Sequence, residues 1–278
     1  MKACKNKNDW IADDAEIFFR KTAKKESGER SIITIDNFAG DDNVKMKSDR
    51  TKLAEKRCLG EGPDYIGYLK ANEAKSTGSA CMIYDPIAGR TVDTLSKGEQ
   101  DFFFIMRYRD DVAVIQEQMR MSQDVVKRIC EEHGFRTPRR ILSTDFLITF
   151  QNGNREAYSI KLKREEFNPN ALKYKDRPEL YERLLIRQYI EKEYWNRYGI
   201  PFRIVFSEEL NKILAANIRQ CLAMYNENFV SNEESMLRYL VAHKVVRIPM
   251  DTEKLRFPLL AKGHEAEIRR LYAESRRE

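Results

Sequence analysis

Residues 143–163 read STDFLITFQNGNREAYSIKLK, and this stretch decides the fold. Two runs of β-branched and aromatic residues flank Asn152-Gly153-Asn154, a turn whose central positions tolerate positive φ. The pattern predicts a hairpin with strands over 143–150 and 156–163. Side chains alternate along a strand, so Asp145, Leu147 and Thr149 oppose Phe146, Ile148 and Phe150 on the first. On the second, Ser159, Lys161 and Lys163 oppose Ile160 and Leu162. Asp145 and Lys163 are therefore expected to share a polar face, each at the end of its strand away from the turn. A hard divalent cation takes carboxylate oxygens, and a nearby lysine can hold or deprotonate water that attacks a phosphodiester. The same alternation also suits a surface strand carrying solvated lysines.

Working outward, Ala80–Tyr84 and Arg90–Asp93 predict a second hairpin around Asp85-Pro86 and Gly89. A helix is expected from Ser96 to about Arg109, buried through Phe102, Phe103 and Phe104. A strand over 112–115 and a helix over 122–133, ending before Gly134, follow. Beyond the central hairpin, Pro178 opens a long helix that Gly199 and Pro201 close, and Phe202–Phe206 reads as a last buried strand. Alternating strands and helices of this kind predict an α/β fold with a mixed sheet flanked by helices. After Ser207 the pattern is helical over 208–225 and 232–243, with a short strand Val245–Ile248 and a closing segment from 263. Helix, helix, strand is the outline of a small winged-helix unit. Residues 1–58 are polar with short apolar islands and read as a mobile or partner-ordered extension, with one short helix near 13–24. The expected division is thus 1–58, 59–207 and 208–278.

No apolar run in the 278 residues approaches the roughly 20 needed to span a bilayer, and no apolar segment follows Lys2, Lys5 and Lys7. A membrane protein and a secretory leader are not expected, which makes the cytoplasm the default. Five scattered cysteines and three histidines support neither a disulfide framework nor a structural zinc. Fifty Lys and Arg against 44 Asp and Glu are compatible with a polyanionic partner, and equally with a solvated mixed surface.

Two further acids stand out. Ser96 with Glu99 forms a capping box, in which the glutamate secures the helix start; a metal would compete for the same oxygens. Glu191 falls on one helical face with Leu180, Leu184, Trp195 and Tyr198, where a carboxylate is costly unless paired or ligating. Arg187, one turn earlier, is the obvious partner; a role in a site is the other reading.

Asp64-Tyr65-Ile66, Lys75-Ser76-Thr77-Gly78, Gly89-Arg90-Thr91-Val92, Leu95-Ser96 with Glu99, Glu117-Gln118, Ser143–Leu147, Leu162-Lys163, Tyr194-Trp195 with Ile200-Pro201, and Asn217-Ile218 with Tyr225 occur in that order. The ordered set, over roughly residues 60–228, resembles TnsA, the endonuclease family of Tn7-like cut-and-paste transposons. The resemblance implies a restriction-endonuclease-like core followed by a helical, winged-helix-like C-terminal domain. It implies Glu99, Asp145 and Lys163 as catalytic residues. Two Mg²⁺ ions, for which Mn²⁺ can substitute, would be held by the two acids and the backbone carbonyl at Leu162; Lys161 and Gln116, where the chain departs from the family, and Glu191, from its place on the helical face, are supporting candidates. It further implies double-stranded DNA at transposon ends as substrate, hydrolysis of the 5′ strands, a DDE transposase partner (TnsB-like) and a AAA+ ATPase regulator (TnsC-like). The chain departs from the family at Lys161, where Gln or Glu is usual, and at Gln116, where Arg is usual. Three readings stay open: an active transposition endonuclease, a weak or inactive assembly factor bridging the transposase and its regulator, and a stand-alone nuclease of the same fold.

Overall fold

The computed structural model describes residues 47–73 and 79–277. The expected helix near 13–24 and the Lys75–Gly78 motif lie outside them. The four-stranded sheet runs β3 (Val112–Arg120), β4 (Ser143–Phe150), β5 (Arg155–Lys161) and β6 (Phe202–Phe206) in spatial order. β3, β4 and β5 pair antiparallel, and β6 joins β5 in parallel. A parallel neighbour needs a long crossover, supplied here by α4 (Pro178–Arg197). The remaining strands, β1 (Cys81–Asp85) and β2 (Arg90–Thr94), form a separate hairpin. Gly153 in the turn between β4 and β5 takes φ 81°, the left-handed conformation expected there.

Alternation sorts the apolar side chains onto two faces of the sheet. Phe146, Ile148, Tyr158 and Ile160 pack with Phe102 and Phe103 of α2 (Lys97–Arg107). Leu147 and Ala157 pack instead with Ile129 of α3 (Gln123–His133) and with Ile190 and Trp195 of α4. The result is a mixed α/β fold with helices on both faces, as the pattern predicted.

Three expectations need correction. The polar extension does not reach residue 58: α1 (Asp49–Ala54) buries Lys52, and Asp49 accepts hydrogen bonds from the Tyr68 hydroxyl at 2.5 Å and the Ile141 amide at 3.0 Å. Arg57, 1% exposed, clasps Glu73 through both guanidinium nitrogens at 2.8 and 2.5 Å and donates to the Tyr68 carbonyl. Secondly, Val245–Ile248 is not a strand. The Val245 and Val246 amides fold back onto the Leu240 carbonyl and close α6 (Glu233–Ala242), so the strand that a winged helix needs is missing among the described residues. Thirdly, the chain does not start a new core at residue 208. Ala215 and Ile218 of α5 (Lys212–Leu222), Leu240 of α6, Phe257 of α7 (Phe257–Ala261) and Tyr272 of α8 (Glu265–Ser275) share one apolar cluster with Phe103 and Phe146. Among the described residues no helix is long and apolar enough to cross a membrane.

The approach of α2 to the end of β6 is close at Gly98, where a Cβ would stand 2.7 Å from Ser207 Cβ and 3.2 Å from Ile160 Cγ2. Alanine is ordinarily the better helix former by ~1 kcal/mol. Here Gly98→Ala is expected to lower stability by about 1–3 kcal/mol through overpacking, read as a lower urea midpoint. An unchanged or higher midpoint would contradict the contact.

Candidate functional site

Gln118 is the residue on which the site is assembled. It takes φ 47°, a left-handed conformation costly for a residue with a Cβ. Register is kept on either side, with Glu117 opposite Phe146 and Met119 opposite Thr144, so Gln118 stands beside Asp145. Its carbonyl is released from the ladder to accept the Tyr68 amide at 3.0 Å, and the Tyr65 hydroxyl holds the preceding Glu117 carbonyl at 2.7 Å. The fully buried Gln118 side chain accepts the Ser143 hydroxyl at 3.1 Å and donates to Glu99 Oε2 at 3.2 Å.

Glu99 is both a helix cap and a member of this row. Ser96 Oγ accepts the Glu99 amide at 3.1 Å, while the Glu99 carboxylate accepts the Ser96 hydroxyl at 2.9 Å and the Leu95 amide at 2.8 Å. The expected capping box thus forms one residue further back than the Ser96 amide. Each carboxylate oxygen keeps further acceptor capacity, so capping does not exhaust the group.

Asp145 is half-buried on β4. Its Oδ2 accepts the Ile160 amide at 2.6 Å and the Ser159 hydroxyl at 3.3 Å, and Lys161 Nζ donates to that same Ser159 hydroxyl at 2.6 Å. Oδ1 has no partner among the described residues. Burial first, and then the charge of Asp145, push the Glu99 carboxyl up to about 8; the Leu95 amide, the Ser96 hydroxyl and Lys161 pull the other way. A carboxyl whose ionisation is resisted by the charge of a neighbouring acid marks a site that an added cation suits.

The two lysines are not equivalent. β5 ends at Lys161, opposite Phe206 of β6; Leu162 and Lys163 lie beyond it and are exposed. The strand expected over 156–163 therefore stops short, and it is Lys161 rather than Lys163 that is wired to Asp145 within the ladder. Lys163 keeps an extended backbone (φ −142°) and its ammonium makes no ion pair among the described residues. The Leu162 carbonyl accepts the Glu208 amide at 3.3 Å. Gln116 pairs with Leu147 in the sheet and is not part of the row; Gln118, two residues on, is.

Glu191 is 2% exposed and pairs with Arg187 at 2.5 Å, as the helical spacing anticipated. Arg187 also donates to the Ser143 carbonyl at 2.9 Å. Glu191 Oε2 is buried without a hydrogen-bond partner. Burial raises this carboxyl; Arg187 and Lys161 oppose the rise and Asp145 adds to it.

A cavity of about 700 Å³ opens at this end of the sheet, lined by Lys97 and Glu99 of α2, Lys161 at the end of β5, Leu162 after it, Lys212 of α5 and Lys254 from the loop before α7. Its four lysines outnumber the three acids Glu99, Asp101 and Glu166 by one, and Lys97 pairs with Asp101, which leaves Lys161, Lys212 and Lys254 as the cations a phosphate could meet.

Residues 109–207 match the family described as TnsA-like endonuclease N terminal. The transposon Tn7 transposition protein TnsA of Escherichia coli is 28% identical over 181 residues, an alignment that covers 63% of this chain and 62% of that protein. The matched segment contains β3 to β6 and with them Gln118, Asp145, Lys161 and Lys163.

Because the Glu99 carboxyl is raised from its ordinary 4.5 to about 8, it retains in the folded chain a proton that the unfolded chain has lost. Its contribution to stability is fully present below about 4.5 and is lost as pH rises toward 8. Urea titrations in a metal chelator are expected to show the wild type weakening across that window and Glu99→Gln weakening less. Parallel curves for the two proteins would contradict the assignment.

Proposed function

Since the chain carries a TnsA-like endonuclease N-terminal domain over residues 109–207, we propose that it is a divalent-metal-dependent DNA endonuclease of a cut-and-paste transposition complex, hydrolysing the 5′ strands at transposon ends. The observation that carries the reading is the row across the sheet, in which Glu99, held by Gln118, lies within electrostatic reach of Asp145 and neither carboxylate has an ion-pair partner among the described residues.

Glu99 and Asp145 would hold a hard cation, for which their oxygen donors are suited; a Mg²⁺ ion bound there would supply Lewis-acid stabilisation of charge on the phosphate. The remaining work falls to the chain. Lys212 and Lys254 at the cavity wall bind the phosphodiester backbone without reading sequence. Lys163, exposed just beyond β5, orients the attacking water or receives its proton. Ser159 and the Ile160 amide hold Asp145 Oδ2 and so leave Oδ1 directed to its task. Sequence choice rests with a DDE transposase that binds the ends, and coupling to a AAA+ regulator with the C-terminal helices. A chain that acts on transposon-end DNA would work in the cytoplasm.

The test uses the full chain with its transposase and a plasmid bearing a transposon end. Asp145→Asn is expected to abolish 5′ nicking, and Lys163→Ala to slow it by about 10²-fold or more, with circular dichroism unchanged. Nicking at the wild-type rate by Asp145→Asn would overturn the proposal and favour an assembly role.

A further inference from the structure

We infer that the Lys161 ammonium takes the place of one of two cations, so that this site accepts a single divalent ion. The inference rests on the nuclease reading only in that the ion is the one held by Glu99 and Asp145.

Donor supply comes first. Among the described residues no group of three or more His, Cys, Asp and Glu side chains is placed to hold a metal. Glu99 and Asp145 provide two carboxylates, and the third acid within their field, Glu191, gives Oε1 to Arg187 and keeps only its buried Oε2 free. Two closely spaced ions draw on a larger set of shared oxygens than this. A second ion would have to rely on water and backbone oxygens beside these acids, so the charge next to it decides whether it binds.

Charge points the same way. Lys161 Nζ donates to Ser159 Oγ at 2.6 Å, and that hydroxyl donates to Asp145 Oδ2 at 3.3 Å, so one hydroxyl separates the ammonium from the carboxylate. Lys161 shares its side of β5 with Ser159 and lines the cavity together with Glu99. An ammonium has three donors and no lone pair. At this position it neutralises charge but ligates nothing, and it repels a second cation that would have to stand against it. One divalent ion and one ammonium already exceed the two negative charges of the acids. Lys163, exposed past the end of β5, is spared this role and stays available to the phosphate or water.

Metal counting tests the inference without reference to cleavage. The purified full chain is titrated with Mn²⁺, bound ions are counted by electron paramagnetic resonance, and Asp145→Asn identifies the ions that belong to this site. The wild type is expected to take one Asp145-dependent ion. Lys161→Gln is expected to take two, with a spin-coupled spectrum and the second ion bound about tenfold or more tightly than in wild type. Lys163→Gln should remain at one. Should Lys161→Gln fold poorly, Lys161→Met serves the same purpose, because removal of the charge is what admits the second ion. Two Asp145-dependent ions in the wild type, or one in a folded Lys161→Gln, would overturn the inference and leave the nuclease reading standing. No Asp145-dependent ion at all would overturn both.

Discussion

The hydrogen bond from Gln118 to Glu99 is the contact on which the site depends. Glu99 belongs to α2 and Asp145 to β4, and nothing in either element brings the two carboxyls together. Gln118 does so by leaving the strand conformation at φ 47°, which frees its carbonyl for Tyr68 and turns its side chain between Ser143 and Glu99. A left-handed glutamine costs of order 1 kcal/mol, and the cost is offset by Tyr65 and Tyr68 from the segment before β1. That segment is thereby tied to the chemistry although neither tyrosine lines the cavity.

Behind the row stands a second set of polar contacts from α4. Arg187 bridges Glu191 and the Ser143 carbonyl, and the Trp195 indole donates to Thr144 Oγ1 at 2.8 Å. These fix the first two residues of β4, the strand that carries Asp145. A buried pair of this kind is weak evidence for stability, since desolvation opposes its attraction. Its geometric consequence is firmer: Ser143 is held from both its carbonyl and its hydroxyl, so the start of β4 cannot shift without disturbing Gln118.

Local signals were legible where they act locally. The Asn152-Gly153-Asn154 turn, Pro178 at the start of α4, Gly199 after its end and the Phe202–Phe206 strand all read directly, because each is determined by the φ preferences or periodicity of a few adjacent residues. What failed was set at a distance. The end of β5 depends on its parallel partner, which pairs as far as Lys161 and Phe206, and so alternation continued to Lys163 misplaced the wired lysine. Val245–Ile248 has the composition of a strand but pairs with no strand among the described residues. A left-handed glutamine leaves no compositional trace, so the sequence does not mark Gln118 as the residue that holds Glu99. The boundary at residue 208 dissolved for a similar reason: the apolar faces of the C-terminal helices find their partner in α2, which sequence order does not reveal. That packing also brings Lys212 and Lys254 to the cavity that Glu99 lines, so the C-terminal helices form part of the site's wall.

The central claim is that Glu99 and Asp145 together make a cation site at the end of this sheet. Anomalous diffraction from a crystal of the full chain soaked in Mn²⁺ tests it most directly. One anomalous peak is expected within ligand distance of Asp145 Oδ1 and the Glu99 carboxylate, with Lys161 beside it. Absence of a peak there at Mn²⁺ concentrations that fill other sites, or a peak bound without Glu99, would contradict it.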